Sequence, residues 1–341
     1  MVKRLRVVIG LAISLLFIAL LLWRADPRKI ADALIGANYV WLIPAVLIFF
    51  VELWVRAVRY EHIVKTLRPA TASGLFPILV IGNMANNLLP LRIGELVRAY
   101  MIGERYQLSK MASLGTGVVE RLFDGLTLLA LLAGTVIILG ASGAIHDITL
   151  TAVGVFALAL AVFIACIASP DGSERLVARL ARPLPDRFHQ RLVGFTVSFI
   201  EGLRSLRHPD AIAWVVVTSF VCWTLEALVF ACVGQAFGLD VGWGYYVMAV
   251  SAANLALTAP SSPGGTGLFE FVVMQVMILA GVDDATAAAY ALAAHFTVLL
   301  PATLLGLYCL WSMHLSLGGI SRRAETAMEP VVAEADHPAG D

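Results

Sequence analysis

Charge is what this sequence has least of. Only 14% of its 341 residues are Asp, Glu, Lys or Arg, against about 25% in a soluble globular protein. No sign dominates, since 24 Lys and Arg balance 24 Asp and Glu, so no global field steers a nucleic acid or other charged partner. Cysteine is scarce too. Cys166, Cys222, Cys232 and Cys309 all lie in apolar runs and form no Cys-x-x-Cys pair, which points to small buried side chains. HExxH, GxSxG and Cys/His metal spacings are missing. The glycines after Pro263 precede no Gly-Lys-Ser/Thr, so they form no phosphate loop of that kind. Gly115-Thr116-Gly117 lacks a third glycine and a preceding strand, and Asp283-Asp284 lacks a second Asp pair and reads as a helix cap. An ordinary soluble enzyme, a disordered chain and a nucleic-acid binder are excluded. No cofactor, no metal and no catalytic centre is expected.

What is abundant is apolar surface: 60% of residues are hydrophobic. Apolar segments run 7–23, 39–59, 74–90, 111–140, 148–168, 211–237, 243–259, 266–281 and 287–311. A helix needs about 20 residues to cross the hydrocarbon. The first segment has no small-residue cleavage site after Trp23, so a retained helix is expected rather than a signal peptide. Segments 74–90, 243–259 and 266–281 are short and touch breaks at Pro90 and Gly94, or at Pro260, Pro263, Gly264, Gly265 and Gly267. Irregular backbone at membrane depth survives only beside protein or a watery cavity. The fold class expected is therefore an all-α polytopic membrane protein: six spanning helices plus two re-entrant helical hairpins, about 74–104 and 243–281. Eight full spans are the alternative.

The positive-inside rule favours the hairpins. With them, every Lys and Arg except Arg24, Arg28, Lys29 and the intraspan Arg121 falls on the cytoplasmic side, together with both termini. An inner-membrane location follows. The stretch SERLVARLARPLPDRFHQRLVGF within 169–210 reads either as a surface helix on anionic lipid or as a solvated loop that sets topology. Residues 1–317 form one transmembrane domain, and the polar 318–341 reads as a disordered cytoplasmic tail.

The chain also repeats itself. Glu95 is followed 25 residues later by Glu120, and Glu270 is followed 25 residues later by His295. NMANNLLPLRIGELV precedes the first pair; AANLALTAPSSPGGTGLFEFV leads into the second. Glu52 and Glu226 sit late in the preceding apolar segments, again about 175 residues apart. The charge count gives the two copies (about 39–140 and 211–311) opposite orientations. That is an inverted-topology repeat, which in transporters surrounds a midplane site.

Ionisable groups at the bilayer centre cost at least about 2.5–3.5 kcal/mol each, so they need partners or a purpose. The first hairpin offers Asn86, Asn87, Arg92, Glu95 and Arg98, and the helix after it Glu120, Arg121 and Asp124. Glu120 and Asp124 share a helix face. The second hairpin offers Gly264, Gly265, Gly267 and Glu270, and its following helix His295; Glu52, Arg56 and Glu226 flank them. One reading is a polar midplane cavity. Arginine would hold phosphate by bidentate hydrogen bonds, and carboxylates would balance that charge or bind a cationic headgroup or a proton. The other is a set of structural ion pairs, such as Arg121 with Glu120 or Asp124, locking broken helices together.

NNLLPLRIGELVRAY, VVERLFDGLTLL and APSSPGGTGLFEFVV together resemble the flippase-like integral membrane family, which includes the membrane half of the bifunctional lysylphosphatidylglycerol synthases. The resemblance covers roughly 10–311. It implies a helical fold with re-entrant helices and lipid translocation between leaflets. Its motif positions fall on Asn87, Pro90, Arg92, Gly94, Glu95, Arg98, Glu120, Arg121, Asp124, Pro263, Gly264, Gly267 and Glu270. It does not extend to the soluble aminoacyl-transferring domain, so it implies no lysine transfer. Phospholipids, polyprenyl-phosphate sugars and hopanoids are the substrates it suggests. A membrane-embedded lipid-modifying enzyme, or an accessory subunit docking a separately encoded lipid synthase or glycosyltransferase, are the competing expectations.

Overall fold

The computed structural model describes residues 2–89, 93–140, 209–258 and 262–332, with Gly154. Pro90, Arg92, Pro260, the segment expected at 148–168 and the basic stretch up to residue 208 lie outside the described residues. Every described element is helical, in the order α1 (Val2–Arg24), α2 (Pro27–Gly36), α3 (Leu42–Val64), α4 (Ala72–Leu88), α5 (Gly94–Tyr106), α6 (Lys110–Ile138), α7 (Pro209–Ala236), α8 (Trp243–Ala256), α9 (Leu268–Leu279), α10 (Asp284–Ser312) and α11 (Leu317–Val332). The stretches Tyr39–Val64, Lys110–Ile138, Ile212–Ala236 and Asp284–Ser312 are long and apolar enough to cross a membrane.

Local chemistry sets the boundaries. Asp26 caps α2, accepting from the Arg28 N–H, and Pro27 opens the helix. Thr71, Ser109 and Asp283 cap α4, α6 and α10 through their side-chain oxygens. The short segments become two pairs of short helices, α4 with α5 and α8 with α9. Within the first pair the backbones come very close: a methyl group on Gly94 would collide with the Gly82 carbonyl and with Asn86. Within the second, Gly264, Gly265 and Gly267 all have positive φ, between 68° and 92°, which admits little but glycine.

Packing follows a regular scheme. α3 lies against α7. α4 packs on α10 as α6 packs on α8, α5 lies against α6 as α9 lies against α10, and α3 meets α4 as α7 meets α8. Exchanging α3–α6 with α7–α10 maps these contacts onto one another. One apolar core, built on Phe230, Tyr246, Met274 and Tyr290, fills the second half; another, built on Tyr60, Leu75, Ile81, Met84 and Ile102, fills the first. Large side chains such as Trp23, Ile137, Phe296, Tyr308 and Trp311 face outward, the pattern of a surface solvated by lipid.

The composition predicts a disordered tail over 318–341, but α11 forms over much of it. Ile320 and Ala324, four residues apart and so on one helix face, bury themselves in the core that contains α5. Burial of that narrow face outweighs the polar average of the segment.

Candidate functional site

Glu52, Arg56 and Arg59 recur along α3 at helical spacing. Arg56 donates to Glu52, and its Nη2 donates to Glu226 Oε2 of α7 at 3.0 Å. Asn254 of α8 donates to the other Glu226 oxygen at 3.0 Å, and the Arg56 guanidinium lies 4.7 Å over the Trp223 ring. Arg59 has no exposed surface at all. Its Nη1 lies 2.6 Å from Asp124 Oδ1, and its Nη2 2.7 Å from Glu120 Oε1. Ser219 accepts from the same Nη1, and Trp223 Nε1–H donates to Asp124. Arg98 of α5 then bridges Glu120 at 2.5 Å and Glu95 at 2.7 Å. Arg121 closes the row on Glu95 at 2.6 Å. Each buried charge thus has an opposite charge at contact distance, the condition under which burial is tolerated.

The expected pairing of Arg121 with Glu120 is not what forms. Glu120 is taken by Arg59 and Arg98, and Arg121 reaches Asp124 only at 3.8 Å. The reason is helical phase: Glu120 and Asp124 point inward, whereas Arg121 is rotated outward and its side chain is 44% exposed. Arg59, read from the sequence only as a cytoplasmic charge, is the centre of the network. Its spacing of seven from Glu52 on one helix face was the available signal. Asn83, Trp223 and Asn254 also escaped notice as site residues. Asn86 donates to Glu95 at 3.4 Å, and Asn87 to Thr303 of α10 at 3.0 Å. Arg92 lies outside the described residues.

The second hairpin solves its problem differently. Glu270 Oε2 accepts the Gly267 N–H at 2.6 Å, capping α9 from its first turn. Glu270 Oε1 lies 2.7 Å from His295 Nδ1 of α10. His295 Nε2 lies 3.0 Å from the Gly264 carbonyl, and the ring stacks on Phe269 at 4.3 Å. Gly265 packs on Leu257, and Gly267 lies against the Ser14 carbonyl of α1.

Two cavities meet at this break. A polar one of about 190 Å³ is lined by Glu52, Arg56, Asn83, Asn86, Asn87, Arg121, Trp223, Glu226, Asn254, Gly264 and His295, among others. It therefore joins α3, α4 and α6 to α7, α8 and α10. An apolar one of about 240 Å³ is lined by Ile18, Leu21, Leu22, Pro27, Ile30, Leu292 and, from the break, Thr266, Gly267 and Glu270. Glu95 and Arg98 line a separate small cleft with Arg121. Among the described residues, no group of three or more His, Cys, Asp or Glu side chains is arranged to hold a metal ion.

Residues 7–306 match the family described as the lysylphosphatidylglycerol synthase TM region. The chain belongs to that family. It is an integral membrane protein. It is similar to a protein named glycosyltransferase AglD from Haloferax volcanii, 30% identical over 326 residues, covering 86% of this chain and 52% of that protein. A UPF0104 membrane protein of Methanothermobacter thermautotrophicus is 25% identical over 294 residues, covering 82% of this chain and 87% of the relative. MJ1078, a UPF0104 membrane protein of Methanocaldococcus jannaschii, is 20% identical over 219 residues, covering 63% of this chain and 89% of the relative. The chain thus spans about half the length of the glycosyltransferase and most of the length of the stand-alone membrane proteins. No solved structure matches the chain.

Proposed function

We propose that this protein moves a lipid with a phosphate-bearing headgroup, a phospholipid or a polyprenyl-phosphate-type lipid, between the leaflets of the cytoplasmic membrane. The observation that carries this reading is the pair of adjoining cavities. One presents charges of both signs from both halves of the chain. The other is almost wholly apolar, and the glycine-rich segment with the start of α9 contributes to the lining of both. An amphiphile needs both environments at once: fixed charges for its headgroup, hydrocarbon for its chain. Arg56 and Arg121 are the arginines facing the polar cavity, and Arg121, half exposed and held by Glu95 alone at close range, is the one that would exchange its partner for a phosphate. Glu52 and Glu226 line the same cavity and offset the charge of the two arginines.

The contact scheme that survives exchange of α3–α6 with α7–α10 supports an inverted repeat, with α4–α5 and α8–α9 as re-entrant hairpins and both termini in the cytoplasm. Rocking of one repeat against the other would expose the same cavity to each leaflet in turn. The basic stretch 169–210 would then lie against anionic lipid on the cytoplasmic face. The test is flipping of headgroup-labelled lipids in proteoliposomes, comparing the protein with Arg121→Ala. We expect about a tenfold slower rate for the variant, equivalent to about 1.4 kcal/mol. Equal rates for protein-free vesicles and for the wild type would remove the proposal.

A second reading is favoured by the relative named glycosyltransferase: the chain handles the lipid for a separately encoded lipid synthase or glycosyltransferase. Such an enzyme co-purifying with a protein that flips nothing would support it.

A further inference from the structure

The hydrogen-bond chain through the second break counts protons. A carbonyl oxygen only accepts, so His295 Nε2, 3.0 Å from the Gly264 carbonyl, carries a hydrogen. Glu270 Oε2 accepts the Gly267 N–H at 2.6 Å and points away from the imidazole. The remaining contact, His295 Nδ1 to Glu270 Oε1 at 2.7 Å, joins two atoms that both have lone pairs, and it holds only with one hydrogen between them. The pair is then imidazolium with carboxylate, or imidazole with carboxylic acid. Both states carry the same single proton and zero net charge.

Loss of that proton leaves a carboxylate with only 3% of Glu270 exposed, facing the lone pair of a neutral imidazole. Two acceptors do not stay at hydrogen-bond distance in a site of low dielectric. The position of the pair makes this consequential. Gly264 and His295 line the polar cavity, whereas Gly267 and Glu270 line the apolar one. The pair sits in the wall between them and grips the glycine-rich segment at two points, the Gly264 carbonyl and the Gly267 N–H.

We infer that Glu270 and His295 form a proton-binding site, and that its single exchangeable proton latches the wall between the polar and apolar cavities.

Among the described residues, no other charged side chain is bonded to the pair. Glu52 and Arg56 of α3 and Glu226 of α7 face the same polar cavity but are bonded to one another, and Arg121 of α6 is bonded to Glu95. α4 and α8 bring the uncharged Asn87 and Asn254 to the cavity, and α1 brings the Ser14 hydroxyl and carbonyl to the break. On α2, which packs on α10, Arg28, Lys29 and Asp32 are exposed. Arg24 at the end of α1 is paired with Asp284.

Glu270→Gln is the decisive variant. Its amide oxygen accepts from Gly267 and its amide nitrogen donates to Nδ1 of neutral His295, so every contact is kept with no exchangeable proton. The primary measurement is 15N NMR of histidine-labelled protein in detergent across pH 5 to 10, with the His295 signals identified by their loss in His295→Gln. We expect the His295 nitrogens to titrate in the wild type and to stay as the fixed Nε2–H tautomer in Glu270→Gln. Identical titration in both proteins, or no change in the wild type, overturns the proposal.

A second measurement rests on the flipping activity proposed above. In proteoliposomes the wild-type rate should change severalfold over the same range, while Glu270→Gln stays flat. Equal pH-dependence in both proteins also overturns the latch. A His295 titration that Glu270→Gln abolishes, in a protein that flips no lipid, upholds the proton site and rejects the transport reading instead.

Discussion

The two halves of this protein place acidic or titratable groups at matching positions and then satisfy them by unlike means. In the first half, Glu95 and Glu120 are held by Arg98, Arg121 and Arg59. In the second, the residues 175 positions later are Glu270 and His295, held by each other and by the backbone of Gly267 and Gly264. The first arrangement uses permanent charge. Guanidinium stays protonated at any working pH, so this half is a fixed frame. The second uses one proton shared between Glu270 and His295. The same contact scheme is thus held by permanent charge in one half and by a shared proton in the other. Glu52 and Glu226, one from each half, meet on Arg56 and tie the two together.

This contrast can be broken at several points. The largest effect should come from Arg59→Met, which leaves Glu120 and Asp124 buried without their shared partner. We predict a loss of about 3–5 kcal/mol, read as a lower thermal unfolding midpoint or as failed folding in detergent. A variant that melts with the wild type would show that the row of ion pairs is not what holds the first half. Next come the two breaks. Gly94→Ala brings a methyl group onto the Gly82 carbonyl, and Gly267→Ala places a side chain at φ 92° against Ser14. Each should cost about 1–3 kcal/mol. Gly134→Ala meets nothing and should be neutral or slightly stabilising. Indistinguishable midpoints for the three would argue that the hairpins are loosely packed.

The tie across the halves is sharpened by a double-mutant cycle. Glu52→Gln and Glu226→Gln each remove one of the two carboxylates hydrogen-bonded to Arg56. The double variant leaves only Asp124, 3.9 Å away, so its loss should exceed the sum of the singles by about 0.5–3 kcal/mol. Strict additivity would contradict the bridge.

The smallest effects concern the caps of α6 and α10. Ser109→Ala and Asp283→Ala should each cost about 0.5–2 kcal/mol. Only the second should depend on pH. The hydrogen bond from Thr286 holds the Asp283 carboxyl below its ordinary pKa. The stabilisation is therefore fully present above that ordinary value and fades as the pH falls through the lowered one. A Ser109→Ala penalty that varies with pH in the same way would refute the assignment.

Much of this was legible in the sequence. The apolar runs fall on α3, α4, α6, α7, α8, α9 and α10 to within a few residues, because hydrocarbon length and helical rise leave little choice. The breaks announce themselves as Pro and Gly. The matching offset of Glu52 with Glu226 brought out both carboxylates of the polar cavity, and that of Glu95 with Glu270 fell on a separate cleft and on the apolar cavity. What stayed hidden was pairing across helices. Arg59 looked like one more basic residue at a helix end, and Arg98 served equally well as a topology charge and as a site residue. Nothing local to either says that it is buried, because burial is decided by the helix that arrives from far along the chain. α11 was missed for the same reason: its composition is polar, and a core built by other helices, α5 among them, supplies the surface that Ile320 and Ala324 cover.

By itself, then, the sequence determined that this chain lives in a membrane, where its helices break, and which positions recur. Those follow from local hydropathy, backbone freedom and spacing, which need no partner. The tertiary structure alone decided which arginine neutralises which carboxylate, and that the last pair uses a shared proton instead. Those choices depend on distances of a few ångström between residues far apart along the chain, such as Arg56 and Glu226, 170 positions apart.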